Sequence, residues 1–71
     1  MIRLRVLEIL EERGKTKYWL YKQMGMSYSA FDKMIKNDTK MIKFANIEAL
    51  CSILECQPNK LFEITESDPM D

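Results

Sequence analysis

The sequence contains no histidine, which removes an imidazole general base, a Cys-His nucleophile and any His-containing metal site. Its two cysteines, Cys51 and Cys56, are five positions apart, a spacing that is neither a CxxC redox motif nor half of a usual zinc knuckle. Cys51 falls in an apolar stripe with Leu50 and Leu54, and Cys56 lies just beyond its end. Both read as free, buried or half-buried thiols, which suits a reducing cytosol. No apolar run approaches the roughly 18 residues of a membrane span. The N-terminus carries charges where a signal peptide would have its apolar core. A cytoplasmic protein with no membrane partner is expected. With no base–nucleophile pair and no metal-ligand cluster, neither catalytic nor metal-binding residues are assigned. No enzyme activity and no cofactor are expected.

Net charge is also missing: eleven Lys and Arg offset eleven Asp and Glu over 71 residues. The chain is 46% apolar and 31% charged, a globular balance. A domain this short buries roughly 60% of its unfolded surface. That size excludes a barrel, a doubly wound sheet and a deep substrate cavity, and no small-molecule effector is expected. Dividing the chain changes the electrostatic reading. Residues 1–47 hold ten basic and five acidic groups, a net of +5, and residues 48–71 hold Lys60 against six acids, a net of −5. Such asymmetry fits a polyanionic partner on one side, or a solvated surface with chance clustering.

The apolar periodicity predicts five short helices and no sheet, an all-α class. In the first, Val6, Leu7 and Leu10 share a face with Ile9 on its margin, and Gly14 stops it. Ile2 and Leu4 alternate with Arg3 and Arg5, either extending this helix or forming an extended arm. Thr16 is a suitable N-cap for a second helix over 17–24, with Leu20 and Met24 inward and Gly25 at its end. Ser27 can cap a third over 28–36, in which Phe31, Met34 and Ile35 point inward. Asn37 suits the left-handed terminator that follows. Residues 44–54 place Phe44, Ile47, Leu50, Cys51 and Leu54 at core spacing, and Pro58 opens a fifth helix. Leu61, Phe62 and Ile64 are expected to close the core. The domain is therefore set at 1–64, with an acidic flexible tail over 65–71.

Only Gly25-Met26-Ser27 separates the second helix from the third, and so tight a turn forces a crossing pair, the geometry of a helix-turn-helix. In that arrangement the second helix of the pair enters the major groove and the first crosses the phosphate backbone. The base-facing candidates are then Tyr28, Ser29, Asp32 and Lys33. Lys33 can donate to guanine O6 or N7, and Ser29 can donate or accept. Tyr28 offers an edge for a thymine methyl and a hydroxyl for a base or phosphate. Asp32 can accept from cytosine N4, orient Lys33 or repel the backbone. Candidate phosphate contacts are Lys15, Lys17, Lys22, Lys36, Thr39, Lys40 and Lys43. Singly, each lysine is as well explained as solubilising surface. Seven lysines against two acids between residues 15 and 43 favour collective use on a polyanion. Phe31, in the inward stripe, reads as core and not as a stacking platform for single strands. Tyr21 is undecided, and Trp19 either packs beside the terminal arm or lies near the DNA backbone.

The stretch Thr16–Phe31, followed by Asn46–Phe62, resembles the helix-turn-helix family of phage Cro and CI repressors, the xenobiotic-response-element type, and within it the small one-domain bacterial and phage members. The resemblance runs from about Arg3 to Phe62. It implies a compact, five-helix, lambda-repressor-like domain with Leu20, Met24, Phe31 and Met34 or Ile35 in the motif core. Gly25 would hold the turn and Ser27 the cap of the recognition helix. By the same resemblance Lys17 approaches phosphate, and Tyr28, Ser29 and Lys33 read bases. It further implies a transcriptional regulator, most simply a repressor, bound to double-stranded DNA as a homodimer. Two departures stand out: Tyr21 occupies a position where the family usually has a small residue, and Asn37 replaces a more usual glycine. The competing class is a protein-interaction adaptor or antitoxin-like module that uses the acidic C-terminal half.

Overall fold

The computed structural model describes residues 1–66. Along the chain run β1 (Ile2–Leu4), α1 (Val6–Glu12), α2 (Lys17–Met24), α3 (Tyr28–Ile35), α4 (Phe44–Leu54), α5 (Pro58–Leu61) and β2 (Phe62–Ile64). The all-α expectation is corrected by the two strands. They pair antiparallel with Ile2 opposite Ile64, Arg3 opposite Glu63 and Leu4 opposite Phe62. Three alternating residues are too few to display a period of two, and the partner lies some 60 positions away, so periodicity could not reveal the pairing. The cross-strand partners Arg3 and Glu63 also form an ion pair, to which Glu8 adds a second carboxylate at 2.8 Å from the guanidinium.

Side-chain oxygens start the two helices of the motif. Thr16 Oγ1 accepts from the Trp19 N–H at 3.0 Å, and Ser27 Oγ accepts from the Ala30 N–H at 3.2 Å. Three helices end alike. After α1, α3 and α4 the chain enters the left-handed region at Gly14 (φ 67°), Asn37 (φ 63°) and Glu55 (φ 54°). The following N–H then reaches back across the last turn: Lys15 to the Leu10 carbonyl, Asp38 to that of Lys33 and Cys56 to that of Cys51. These are Schellman closures, which bring the residue after the turn beside one in the final helical turn. The five-residue cysteine spacing is explained by this turn. Both thiols are free and half-buried, and burial, with a smaller contribution from Cys56, pushes the Cys51 thiol up.

Leu4, Val6, Ile9, Leu10, Leu20, Phe31, Met34, Ile35, Leu50, Leu54 and Leu61 form one buried cluster. Burying a side chain of this size contributes about 1.5–3 kcal/mol. α2 sits on both α3 and α4, so the packing that stabilises the domain also fixes the helix pair. Three expectations about the core are corrected. On α1, Ile9 is fully buried and Leu7 is 42% exposed. Both 6/7/10 and 6/9/10 are legitimate helical faces, and the packed domain buries the second. Phe44 is 83% exposed because the first turn of α4 extends past the edge of the core. Ile64 is 80% exposed: it shares a sheet face with Phe62 and pairs with Ile2, at the end of the sheet that overhangs the packed helices. α3 stops at Ile35, one residue before its expected end, with Lys36 as its cap. Of the expected tail, Thr65 donates its N–H to the Met1 carbonyl at 2.7 Å, and residues 67–71 lie outside the described residues.

Candidate nucleic-acid interface

The turn between α2 and α3 uses a left-handed residue at Gly25 (φ 67°), and Ser27 restarts the helix two residues later. Phe31, Met34 and Ile35 anchor α3 in the core, while Tyr28, Ser29, Ala30 and Lys33 remain exposed. The first two turns of α3 therefore present an outward surface at the end where backbone N–H groups are free. Ala30 was not singled out from the sequence, although it lies three residues before Lys33 and so shares its helical face. Its small side chain leaves the backbone of α3 accessible at that point.

Asp32 behaves differently from its neighbours. Its carboxylate oxygens each receive an ammonium at 3.0 Å, Oδ1 from Lys17 on α2 and Oδ2 from Lys36 one helical turn on. Lys17 first and Lys36 second hold the Asp32 carboxyl below the ordinary carboxylate range. Reciprocally, Asp32 foremost and then Tyr28 raise the Lys17 ammonium. Of the roles considered for Asp32, orienting Lys33 is replaced by orienting Lys17 and Lys36. The Lys17 pair cross-links the start of α2 to the middle of α3, while the Lys36 pair stays within α3 and its cap. Their energetic contribution is modest, because Lys17 and Asp32 are only half-buried and Lys36 is exposed.

The seven candidate phosphate-contacting residues do not form one patch. Lys33, Thr39 and Lys43 line a groove between α3 and the start of α4, together with Ala30, Met26 and Asn46. Asn46 went unnoticed in the sequence; an amide in the first turn of α4 was the available signal. Lys36, Thr39 and Lys40 line a second groove, beside β1. Lys22 sits over the Tyr18 ring at 5.5 Å, on the exposed side of α2. Lys15 belongs to another corner, over the Trp19 ring at 5.0 Å, in a groove that Arg13, Ile53 and Glu55 complete. Trp19 is thereby placed against the end of α4, not beside the terminal arm.

Ion pairing refines the charge division. Arg3 and Arg5 are engaged with Glu8, Glu12 and Glu63, and Lys60 with Glu12. Glu8, Glu12 and Glu63 are thus neutralised locally. Among the described residues Arg13, Lys15, Lys22, Lys33, Lys40 and Lys43 make no ion pair, and all lie between the end of α1 and the start of α4. Cations free of ion pairs attract a polyanion, and of these Lys33 and Lys43 share the groove beside α3.

Tyr21, the unusual residue on α2, is half-buried and packs against Phe31 and Tyr28, with ring centroids at 5.5 and 5.1 Å. It thus fills the crossing of α2 and α3 and reaches the exposed end of α3 at the same time. No group of three or more metal-ligating side chains gathers among the described residues, and no described helix is long and apolar enough to cross a membrane.

Comparison with known proteins agrees with this geometry. The model of the Cro/C1-type HTH DNA-binding domain matches residues 5–67. No curated protein and no solved structure matches the chain. A capped helix pair joined by a left-handed glycine, with an anchored second helix and lysines around it, occurs within the matched stretch. The chain belongs to the Cro/C1-type helix-turn-helix DNA-binding domain family.

Proposed function

We propose that this protein is a sequence-specific, double-stranded DNA-binding transcriptional regulator that acts without catalysis, most simply as a repressor occupying a promoter. The observation that carries this reading is the exposed start of α3, where Tyr28, Ser29 and Lys33 protrude while Phe31 and Ile35 hold the helix to the core. A major groove about 12 Å wide admits one such helix. In a lambda-repressor-like arrangement Lys33 would donate to guanine, and Ser29 would donate or accept. Lys17, Lys36, Lys40 and Lys43 would take the flanking phosphates. Asp32, occupied by two ammonium groups, sets the position of Lys17 and Lys36 more readily than it reads cytosine. As a homodimer, the protein would place two such helices about 34–36 Å apart on a near-palindromic site.

Selection from a random duplex pool, followed by binding of the recovered sequence at several salt concentrations, tests the proposal. A recurring motif and an affinity that falls with salt are expected, because each phosphate neutralised releases counterions. No enrichment and no duplex affinity at low salt would overturn it.

A further inference from the structure

The first residue of α3 carries a ring whose orientation is fixed in the free protein. Tyr28 is 46% exposed, yet several neighbours hold its ring. The Tyr21 ring meets it edge-on, with centroids 5.1 Å apart and planes at 83°. Phe31, fully buried one turn along, lies 6.1 Å away. The Lys17 ammonium stands 5.7 Å from the Tyr28 centroid and is itself held by Asp32 at 3.0 Å. Edge-to-face aromatic contact and a cation over a ring are both favourable. The side of Tyr28 directed at α2 is therefore occupied, and what α3 presents outward is a rigid, mainly apolar ring edge.

Base edges in the major groove are read chiefly through hydrogen bonds, which carbon–hydrogen edges do not make. The apolar group available there is the C5-methyl of thymine. A pre-ordered ring loses little freedom on contact, so a small apolar patch still contributes to selectivity. Building on the duplex-reading function above, we infer that Tyr28 is a specificity-determining residue that contacts a thymine C5-methyl group, and that Tyr21 is the positioning residue that holds its ring for this contact. The bulky residue at position 21 acquires a role that the helix crossing alone does not require. Unlike Lys33, Tyr28 distinguishes thymine from cytosine without a hydrogen bond.

The test replaces each thymine of the selected duplex, one at a time, with deoxyuridine, which pairs identically and lacks only the methyl group. Wild-type protein should bind about fourfold more weakly at one such position per half-site, the value of one buried methyl group. Tyr28→Ala should bind the thymine and uridine duplexes equally, and Tyr28→Phe should keep the wild-type ratio. Tyr21→Ala should bring the ratio towards one, and Tyr21→Phe, which preserves the edge-on ring, should restore it. The wild-type scan needs no variant to fold, and Tyr28 is exposed enough for its substitutions to leave the core intact. An enriched motif with no methyl-sensitive thymine, or a Tyr28→Ala protein that keeps the wild-type ratio, overturns the inference and leaves duplex reading standing. An unchanged ratio in Tyr21→Ala overturns the positioning role. Failure to enrich any duplex overturns the underlying function, and this inference with it.

Discussion

The side-chain amide of Asn37 hydrogen-bonds both backbone groups of Leu4, accepting from its N–H at 2.6 Å and donating to its carbonyl at 3.1 Å. Asn37 thus acts as a one-residue strand on the edge of β1 that faces away from β2. It does so from the left-handed position that ends α3. One residue terminates α3, satisfies a strand edge and joins the two. A glycine would allow the turn equally well and supply neither hydrogen bond.

Asn37→Gly is therefore expected to destabilise the domain by about 1–3 kcal/mol, the cost of leaving partly buried backbone groups unpaired, despite the easier turn. Asn37→Asp should cost more, because the second carboxylate oxygen would face the Leu4 carbonyl oxygen, acceptor against acceptor. Urea denaturation monitored by circular dichroism measures both; a neutral Asn37→Gly would show that water replaces the amide without penalty.

Glu55 adopts the same left-handed conformation with a side chain that gains no hydrogen bond from it (φ 54°). Glu55→Gly should stabilise the protein by about 0.5–1 kcal/mol, since relief of the left-handed penalty exceeds the added chain entropy. The rise in denaturation midpoint should appear with an unchanged urea dependence.

Lys33→Ala and Lys17→Ala should separate two kinds of contact. Loss of Lys33 should relax base preference, at about 1–3 kcal/mol against the preferred site. Loss of Lys17 should weaken all duplexes alike and lower the salt slope by about 1. Titrations of preferred and scrambled duplexes at three salt concentrations distinguish the patterns.

Acid should weaken the link between α2 and α3. The Asp32 carboxyl is held below its ordinary value by Lys17 and Lys36, so its contribution is complete above the unfolded carboxylate value, about 3.9. The contribution is lost as pH falls through the lower, folded value. Glu8, held down chiefly by Arg3, follows the same sign. The difference in thermal midpoint between wild type and Asp32→Asn should be present at neutral pH, shrink below about pH 4 and shrink also in high salt.

Leu20 is fully buried on α2, which packs against both α3 and α4. Leu20→Ala should cost about 2–5 kcal/mol, a large share of the stability of a domain this small. Loss of duplex binding should coincide with loss of helical signal on warming, and not precede it.

Local chemistry made most of the fold legible. Thr16, Ser27 and Pro58 mark helix starts through oxygen acceptors and a preset φ, while Gly14, Gly25 and Asn37 mark ends through tolerance of positive φ. The inward stripe Phe31, Met34 and Ile35 follows from helical period, and from it the outward set Tyr28, Ser29 and Lys33. What could not be read depends on the rest of the chain. Leu7 and Ile9 are equally good core residues until tertiary packing fixes the rotation of α1. Phe44 fits the period of α4 but lies beyond the reach of the core.

The amino-acid sequence by itself determined the helices, their stops, the tight Gly25-Met26-Ser27 turn and the excess of lysine around it, because each arises within a few residues. Tertiary structure alone decided that β1 meets β2, that Asn37 seals Leu4 and that Asp32 binds Lys17 and Lys36. It also decided that Tyr21 buttresses Tyr28. Those contacts join segments that are distant along the chain, and only packing around the shared core brings them within hydrogen-bonding or ring-contact distance.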